Sequence, residues 1–364
     1  MSFEDTRAGG QPGSPALAVR AWFALPGLLR FSIRRVITGV FLCIGVTLIA
    51  FLLTLVVPGD PVAASLGDVA ADDPVIVAAF RERYGLDKPL PEQYLIYVTG
   101  LLQGDLGTSL NTRRPVLDDL RQFLPATIEL SIAAMTVAMV LGVALGVIAA
   151  VYRDGWPDQA IRVISLAGVS VPTFWLSLVC LYVFFYLLGW SPGVGRLPPG
   201  ALAPQAVTGM YSVDAALAGD WEKVGDALAH LALPALVLAV YTIGAITRFT
   251  RASMLETLEQ DYVRSARAKG LPARVVVMRH ALRPALAAIV TVSGLAFGRM
   301  LGGAVLVESV FSWPGLGEYA YRSALSLDLR AIMGVSLVIA IVYILVNLVV
   351  DLLYAVIDPR IRLG

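Results

Sequence analysis

The side chains that most often carry catalysis are few in this chain and lie far apart. Its two histidines, His230 and His280, are separated by fifty residues, and its two cysteines, Cys43 and Cys180, each lie inside an apolar run. Two cysteines are too few for a disulfide framework. Neither the two cysteines nor the two histidines have the spacing of metal ligands. We therefore expect no metal centre built from protein ligands.

Nucleotide and hydrolase motifs are absent as well. Lysine occurs at three positions, Lys88, Lys223 and Lys269, and none of them follows a glycine. A G-x-x-x-x-G-K-[ST] loop needs that pair, so the chain cannot hydrolyse ATP through such a loop. HExxH and GxSxG are missing too, which argues against the familiar intramembrane enzymes. The residue types predict no catalytic residue and no cofactor bound by this chain.

The composition indicates what the chain does contain. Of 364 residues, 57% are apolar and 15% are charged, whereas soluble domains average about 45–50% and about 25%. Disordered chains are apolar-poor, so disorder is excluded. A formal net charge of +1 gives no reason to expect a nucleic-acid partner. The composition predicts an integral membrane protein in contact with lipid.

Six apolar runs are long enough to cross a bilayer. Each reaches about 20 residues, the length that spans a hydrocarbon core of about 30 Å. The sequence therefore predicts an all-α polytopic membrane protein with six transmembrane helices. The runs are 36–57, 126–151, 161–189, 231–249, 284–308 and 331–357.

The distribution of Lys and Arg predicts the orientation. With the N-terminus inside, the inner segments carry 16 basic residues and the longer outer segments carry 10. The positive-inside rule then places both termini in the cytoplasm. Residues 1–30, rich in Gly, Pro and Ala, are expected to form a flexible cytoplasmic tail, and 31–364 the transmembrane domain. Within it, outer segment 58–123 should form short helices on the outer face, and 190–230 should be irregular.

The inner segment 250–283 has the most informative pattern. It contains YVRSARAKGLP, a basic, helix-prone stretch that Gly270-Leu271-Pro272 should interrupt. A short helix, a break and a second helix would make a rigid knob, in which the small Ser265 and Ala266 allow close helix approach. The simpler interpretation is an ordinary basic inner loop that obeys the positive-inside rule.

These residues and eight further blocks carry a resemblance to a known family. The chain resembles the B-type permease subunits of the dipeptide/oligopeptide/nickel family of bacterial ABC importers over residues 31–364. YVRSARAKGL follows the spacing of that family's E-A-A-x-x-x-G loop. The other blocks are PGDP (58–61), YGLDKPLPEQY (84–94), GDLGTS (104–109), LPATIEL (124–130), GVSVPTFWL (168–176), HLALPAL (230–236), GGAVLVESVFSWPGLG (302–317) and VDLLYAVIDPRIR (350–362).

The resemblance implies a fold, a function and partners. The fold is that of a type I ABC importer permease with an extracytoplasmic helical insertion after the first span. The implied function is ATP-driven import of di- or oligopeptides by alternating access. Nickel chelates or another small solute remain the alternative cargo, and an ATP-independent secondary transporter the alternative mechanism. The implied partners are a second homologous permease, two ABC ATPase subunits or domains that bind ATP and Mg²⁺, and an extracytoplasmic solute-binding protein.

The resemblance also implies which residues couple the permease to the ATPases. Arg264 stands where the general motif has Glu, so a contact based on that Glu does not carry over; Arg283 likewise stands where the motif has Pro. The outer segments 58–123, 190–230 and 309–318 are expected to dock the solute-binding protein. The predicted coupling residues are Asp261, Tyr262, Arg264, Ser265, Ala266, Arg267, Lys269 and Gly270.

Charged residues inside spans are candidates for the translocation pathway. Counted from Pro284, Arg299 should lie in the outer half of the membrane, with Glu129 at a comparable depth and Glu308 at the outer surface. A charge at mid-membrane costs at least about 2.5–3.5 kcal/mol, so it usually faces water or protein. One hypothesis is that Arg299 binds a substrate carboxylate; the alternative is a buried ion pair with Glu129.

Glycine and proline mark two further features of the spans. Gly294, Gly298 and Gly302 recur every four residues in span five, which predicts close helix packing, either within the chain or at a gate against the second permease. Gly142 and Gly146 repeat the pattern in span two. Pro172 should kink span three, because proline removes a helical hydrogen bond, and it is a further pathway candidate.

Overall fold

The computed structural model describes residues 27–56, 74–84 and 87–357, and the regular elements in them are helices. Two π-helical segments are present: Leu181–Leu187 directly follows Cys180, and Val276–Leu282, after the turn Ala273–Val275, directly precedes Arg283. The helices are α1 Gly27–Val56, α2 Pro74–Tyr84, α3 Leu90–Leu102, α4 Val116–Val151, α5 Trp156–Ser170, α6 Thr173–Cys180, α7 Tyr211–Leu217, α8 Trp221–Leu258, α9 Asp261–Ala268, α10 Arg283–Val310, α11 Leu316–Leu325 and α12 Leu329–Ile357.

Five of these helices, α1, α4, α8, α10 and α12, are long and apolar enough to cross a membrane. The sixth span is α5 together with α6 and its π-helical extension, two segments bent by 103°. The predicted all-α, six-span architecture is therefore confirmed. The 36 residues of α4 and 38 of α8 are about 54 and 57 Å long, so both helices extend well beyond a hydrocarbon core.

The centre of the bundle is the contact between α4 and α8. Glycines on α4 allow this close approach: a Cβ added at Gly142 would lie 2.8 Å from the Cβ of Ile246, and one at Gly146 would lie 2.5 Å from the Cβ of Thr250. Ala138, one turn before Gly142, is fully buried. Small residues at such an interface bring the backbones into van der Waals contact, the main attraction between helices in lipid.

The remaining spans are arranged around this pair. Helix α8 also contacts α10 and α5, α10 contacts α12, and α12 contacts α1. Helix α1 lies at the edge, and apolar side chains such as Phe41 and Ile49 are more than half exposed there. An exposed apolar face is what a lipid-facing span presents.

The structure bears differently on three expectations about segments outside the spans. Helices α2 and α3 confirm short helices within 58–123. The segment 190–230 is less irregular than predicted, because it contains α7 and the first ten residues of α8. Helix α1 begins at Gly27, inside the predicted tail 1–30. Residues 1–26 of that tail, and the PGDP block, lie outside the described residues.

Candidate functional site

The segment between α8 and α10 forms a compact projection at the predicted inner face. Its short helix α9 turns Val263 and Ala266 inward, where they are 0% and 5% exposed. Both pack in one apolar cluster with Val276, against which Leu258 at the end of α8 also lies. This small core fixes α9 to the ends of two spans, so a force on α9 is transmitted to both.

The predicted break after this helix is present. Gly270 has φ +73°, and its N–H donates to the carbonyl of Arg267 at 2.9 Å. The N–H of Leu271 reaches back to the carbonyl of Ala266. A glycine in the left-handed region ends a helix in this way, and the next helical turn begins directly after Pro272. The helix–break–helix pattern predicted from the sequence is therefore confirmed.

Gly270 gives a test of this geometry. A Cβ at Gly270 would meet no atom within 4 Å, so a substitution costs only backbone strain. We expect G270V to lose about 1–2 kcal/mol of unfolding free energy, and G270N much less, because Asn tolerates the left-handed region. Denaturant titration of the purified protein in detergent measures both. Equal losses for the two variants would show that the backbone conformation is not the cause.

The predicted coupling residues divide between the two faces of the projection. Ala266 is buried, in agreement with the close helix approach predicted for this small residue, and the coupling role of the segment stays a prediction. The carboxylate of Asp261 is paired with the guanidinium of Arg264 within the exposed face. The exposed members are Asp261, Tyr262, Arg264, Ser265, Arg267, Lys269 and Gly270.

A groove lies beside this exposed face. Its volume is about 460 Å³, and it is formed by the inner ends of α4 and α8 and the residues that follow α9. Its walls are mainly apolar, with Leu255 and Leu271 among them, while Arg153, Glu259 and Arg267 line it too. Arg153 donates to Glu259 at 2.9 Å. An apolar groove with a charged border can accept an apolar side chain from another protein.

A buried ion pair holds the same face together, and sequence reasoning missed it. Asp158 at the start of α5 is fully buried and accepts two hydrogen bonds from Arg251 of α8, each 2.7 Å long. The guanidinium of Arg162 lies 3.5 Å from the same carboxylate. A bidentate pair of this kind fixes relative orientation. Because 93 residues separate the partners, their spacing in the sequence gives no signal of it.

At the opposite end of the bundle, Glu308 caps a helix. Its fully buried carboxylate accepts hydrogen bonds from the N–H groups of Gly317 and Glu318, in the first turn of α11, at 2.7 and 3.0 Å. Thr127 of α4 donates to it at 2.6 Å. A carboxylate at a helix N-terminus satisfies unpaired N–H groups and complements the helix dipole. Glu308 therefore joins α10, α11 and α4, and it does not present its carboxylate to an open pathway.

Glu129 lies in the same outer layer and is bound to the segment before α7. Arg196 donates to its carboxylate at 2.6 Å, and the N–H and hydroxyl of Ser212 donate to its other oxygen at 2.8 and 2.6 Å. The Arg196 guanidinium also stacks 3.5 Å from the centre of the Tyr211 ring. The predicted ion pair between Glu129 and Arg299 is wrong, because these donors occupy the carboxylate of Glu129.

Asp214 orders the loop that supplies these donors. The N–H groups of Thr208 and Gly209 donate to its carboxylate at 2.8 and 2.9 Å, and the hydroxyl of Thr208 donates at 2.7 Å. Burial raises the pKa of Asp214, but these hydrogen bonds outweigh that effect and hold its pKa below the usual value. The Asp214 carboxylate thus fixes the chain just before Tyr211 and Ser212.

Glu129 and Arg299 lie at different places along their helices. Glu129 is 22 residues before the end of α4 at Val151, about 33 Å along the helix. Arg299 lies nine residues before Glu308 on α10, which is about 13 Å deeper. Its side chain is exposed in the isolated chain, and Arg299 forms no hydrogen bond or ion pair with any described residue.

Span three breaks where the sequence predicts a kink. Helix α5 ends at Ser170, Val171 is extended, and α6 starts after Pro172. The 103° bend is far larger than the kink of a continuous helix, because Pro172 lacks an N–H and disfavours a helical residue before it. The kink is confirmed in this stronger form, while a pathway role for Pro172 stays a prediction.

The glycine stripe of α10 divides into two parts. A Cβ at Gly294 would lie 2.7 Å from Val350 of α12, and one at Gly298 would lie against the ring of Tyr343. At Gly302 a Cβ would meet no atom within 4 Å. The first two glycines thus pack within the chain, whereas Gly302 faces space that the described residues leave open.

This division predicts opposite results for two identical substitutions. G298A should lower the unfolding free energy by about 1–3 kcal/mol, because the added methyl overpacks the contact with Tyr343. G302A should leave the stability of the isolated subunit unchanged or slightly higher, since alanine favours a helix. Thermal unfolding of each variant in detergent, outside any complex, makes the comparison. Similar losses at both positions would contradict the assignment of their neighbours.

The chain was compared with known protein families. Residues 142–363 match the family described as the binding-protein-dependent transport system inner membrane component. Residues 28–131 match the family described as the N-terminal part of the membrane component of binding-protein-dependent transport systems. The first match alone covers more than half of the chain.

Several curated relatives match over most of their length. The chain is 47% identical over 320 residues to the probable D,D-dipeptide transport system permease protein of Escherichia coli K12, covering 88% of this chain and 94% of the relative. It is 45% identical to the di/tripeptide transport system permease protein of Pseudomonas aeruginosa UCBPP-PA14 (92% and 99% covered). It is 37% identical to the glutathione transport system permease protein of Pectobacterium atrosepticum (92% and 99%).

Among solved structures, the chain is similar to a chain of the MetNI methionine ABC transporter in an inward-facing conformation. The match has a TM-score of 0.46 and 16% sequence identity, and it covers 64% of this chain and 93% of that chain.

Proposed function

Because this chain belongs to the family of binding-protein-dependent transport system inner membrane components, we propose that it is a permease subunit of an ATP-driven importer of di- or oligopeptides. The observation that carries the choice of cargo is the set of relatives named for dipeptides and for di- and tripeptides, at 45–47% identity over nearly their whole length. Glutathione, the cargo in a third relative's name, is itself a tripeptide.

The complex would contain the partners that the sequence resemblance implies. They are a second homologous permease, two ATPase subunits or domains, and an extracytoplasmic solute-binding protein. ATP and Mg²⁺ would be bound by the ATPases, since this sequence has no phosphate-binding loop. The permease itself would make and break no bond. Its contribution is a pathway whose two ends open in turn.

The α9 projection would receive the movement of an ATPase. Two features support this role: the exposed face from Tyr262 to Lys269, and the small core of Val263 and Ala266 that ties α9 to the ends of α8 and α10. The neighbouring groove would accept an apolar side chain from the ATPase. When the ATPases close on ATP, α9 would move with them and the two permeases would rock between inward-open and outward-open states.

The opposite face would meet the solute-binding protein, with both termini of the chain in the cytoplasm. Segments 58–123, 190–230 and 309–318 would form that surface. The buried hydrogen bonds of Glu129 and Glu308 support this, because they hold the latter two segments against α4 as one layer.

A two-stage experiment tests the proposal. The tagged protein is purified from its native membrane in a mild detergent, and its partners are identified by mass spectrometry. Stoichiometric P-loop ATPases and a second six-span permease are expected. The complex is then reconstituted in liposomes with its binding protein, and ATP-dependent uptake of labelled di- and tripeptides is measured beside uptake of a nickel chelate. Uptake that needs no ATP would contradict the ATP-driven mechanism. Uptake of the nickel chelate alone would contradict peptides as the cargo.

A further inference from the structure

The described residues leave one face of α10 uncovered along the whole span. The other faces are packed: Ser293 donates to the sulfur of Met139 on α4, and Gly298 lies against Tyr343 of α12. The exposed residues are spaced three or four apart, so they lie on a single face of the helix. From residue 288 onward they are Ala288, Thr291, Leu295, Arg299, Gly302 and Leu306.

Arg299 lies at the centre of this face and at the midpoint of the apolar span. That span runs from Ala288 to Val310, so Arg299 is eleven residues, about 16 Å, from either end. A charge there costs at least about 2.5–3.5 kcal/mol if it faces lipid. The uncovered face therefore borders water or another protein.

The buried carboxylates of the described chain have other donors. Glu129 is bound by Arg196 and Ser212, and Asp158 is bound by Arg251. Glu308 on the same helix is bound by Thr127 and by the first turn of α11. No described carboxylate lies within ion-pair distance of Arg299. Its positive charge is thus available to an anion from outside this chain.

A cavity that could hold a small ligand lies one turn away from Arg299. It has a volume of about 840 Å³ between α1, α3, α10 and α12, and Leu295 lines it while Arg299 itself does not. A cavity of about 300–1,000 Å³ is typical of small-molecule sites. Gly302, about one turn above, adds no side chain and faces open space. A guanidinium between an apolar cavity and an open patch can hold one charged end of a molecule while apolar groups extend along the helix.

We propose that Arg299 binds the C-terminal carboxylate of the peptide during its passage, an inference that rests on the proposed function of peptide import. A guanidinium binds a carboxylate through two parallel hydrogen bonds. Peptides differ in their side chains but share this carboxylate, so a site that reads it accepts many sequences. The exposed Leu295 and Leu306 offer apolar contact that does not select one side chain.

The test compares two cargoes that differ only in the carboxylate. Uptake of dialanine and of its C-terminal amide is measured in the reconstituted complex, with binding protein and peptide at saturating concentrations. The wild-type complex should transport the free acid faster. Loss of a charge-assisted hydrogen-bonded contact corresponds to about a tenfold to hundredfold change, so R299L should reduce the acid-to-amide ratio by this factor, and R299K should keep most of it.

A control and two contrary results complete the test. R322L removes an exposed outer arginine of α11 and should leave the ratio unchanged. If R299L instead slows both cargoes equally and lowers the thermal stability of the complex, Arg299 is paired with a carboxylate of the second permease; the inference then fails and peptide import stands. If the wild-type complex transports no di- or tripeptide, the proposed function itself fails.

Discussion

Replacing Arg196 by alanine is expected to lower the unfolding free energy by about 3–5 kcal/mol, the usual cost of removing one partner of a buried ion pair. Both side chains of the Arg196–Glu129 pair are only 5% exposed. R196A leaves the Glu129 carboxylate buried with Ser212 as its remaining donor, and it removes the stacking on Tyr211. Thermal unfolding of the purified protein in detergent, with denaturant titration for the free energy, measures the loss.

The matched control is a pair on the same face that water reaches. Arg322 donates to Glu318 at 2.6 Å, but its side chain is 72% exposed, and exposed pairs contribute about 0–1 kcal/mol. R322A should therefore be close to wild type. The double variant R196M with E129L should recover much of the loss, because it leaves no buried charge unpaired. Equal effects of R196A and R322A would show that the outer layer does not hold the fold.

Replacing Ala266 by leucine is expected to abolish peptide uptake by the complex. Ala266 is 5% exposed in the small core beneath α9, where three added carbon atoms have no room. Overpacking of this kind costs about 1–3 kcal/mol and shifts the backbone. The spans should still fold, because the buried residues of that core differ from those between α4 and α8, although Leu258 packs against both clusters. Uptake and peptide-stimulated ATP hydrolysis in liposomes measure the result.

The control for this variant is A266S, which adds one small atom at the same position. It should keep most of the uptake, and both variants should appear in the membrane at wild-type levels. Co-purification then separates two causes, since A266L can lose the ATPases or retain them without coupling. Wild-type uptake by A266L would contradict the role proposed for α9.

The polar contacts of the outer layer show why part of the site could not be read from the sequence. Glu129 was recognised as an intramembrane charge, but its partner Arg196 lies 67 residues further along in a segment expected to be irregular. Glu308 was placed correctly at the outer end of its span, yet its partner Thr127 is 181 residues away. A single sequence carries no record of which distant groups meet, so it leaves open the alternative of an ion pair between Arg299 and Glu129, which the contacts of Glu129 contradict.

The sequence alone determined what depends on local composition and length. Apolar runs of about 20 residues predict spans because an unpaired backbone cannot enter lipid. Gly270 and Pro272 predict the break after α9, and Pro172 predicts the bend of span three, because their allowed backbone angles are properties of single residues. These predictions needed no partner, and the structure confirms them.

Which helix faces are covered depends on the tertiary packing. The sequence shows Gly294, Gly298 and Gly302 as one equivalent stripe, but α12 packs against the first two and leaves the third open. It likewise shows Ala266 beside Ser265 without revealing that one is buried and the other exposed. Burial depends on the arrangement of helices far apart in the chain, whose contacts form only when the bundle assembles. The uncovered face that carries Arg299 is defined by that arrangement.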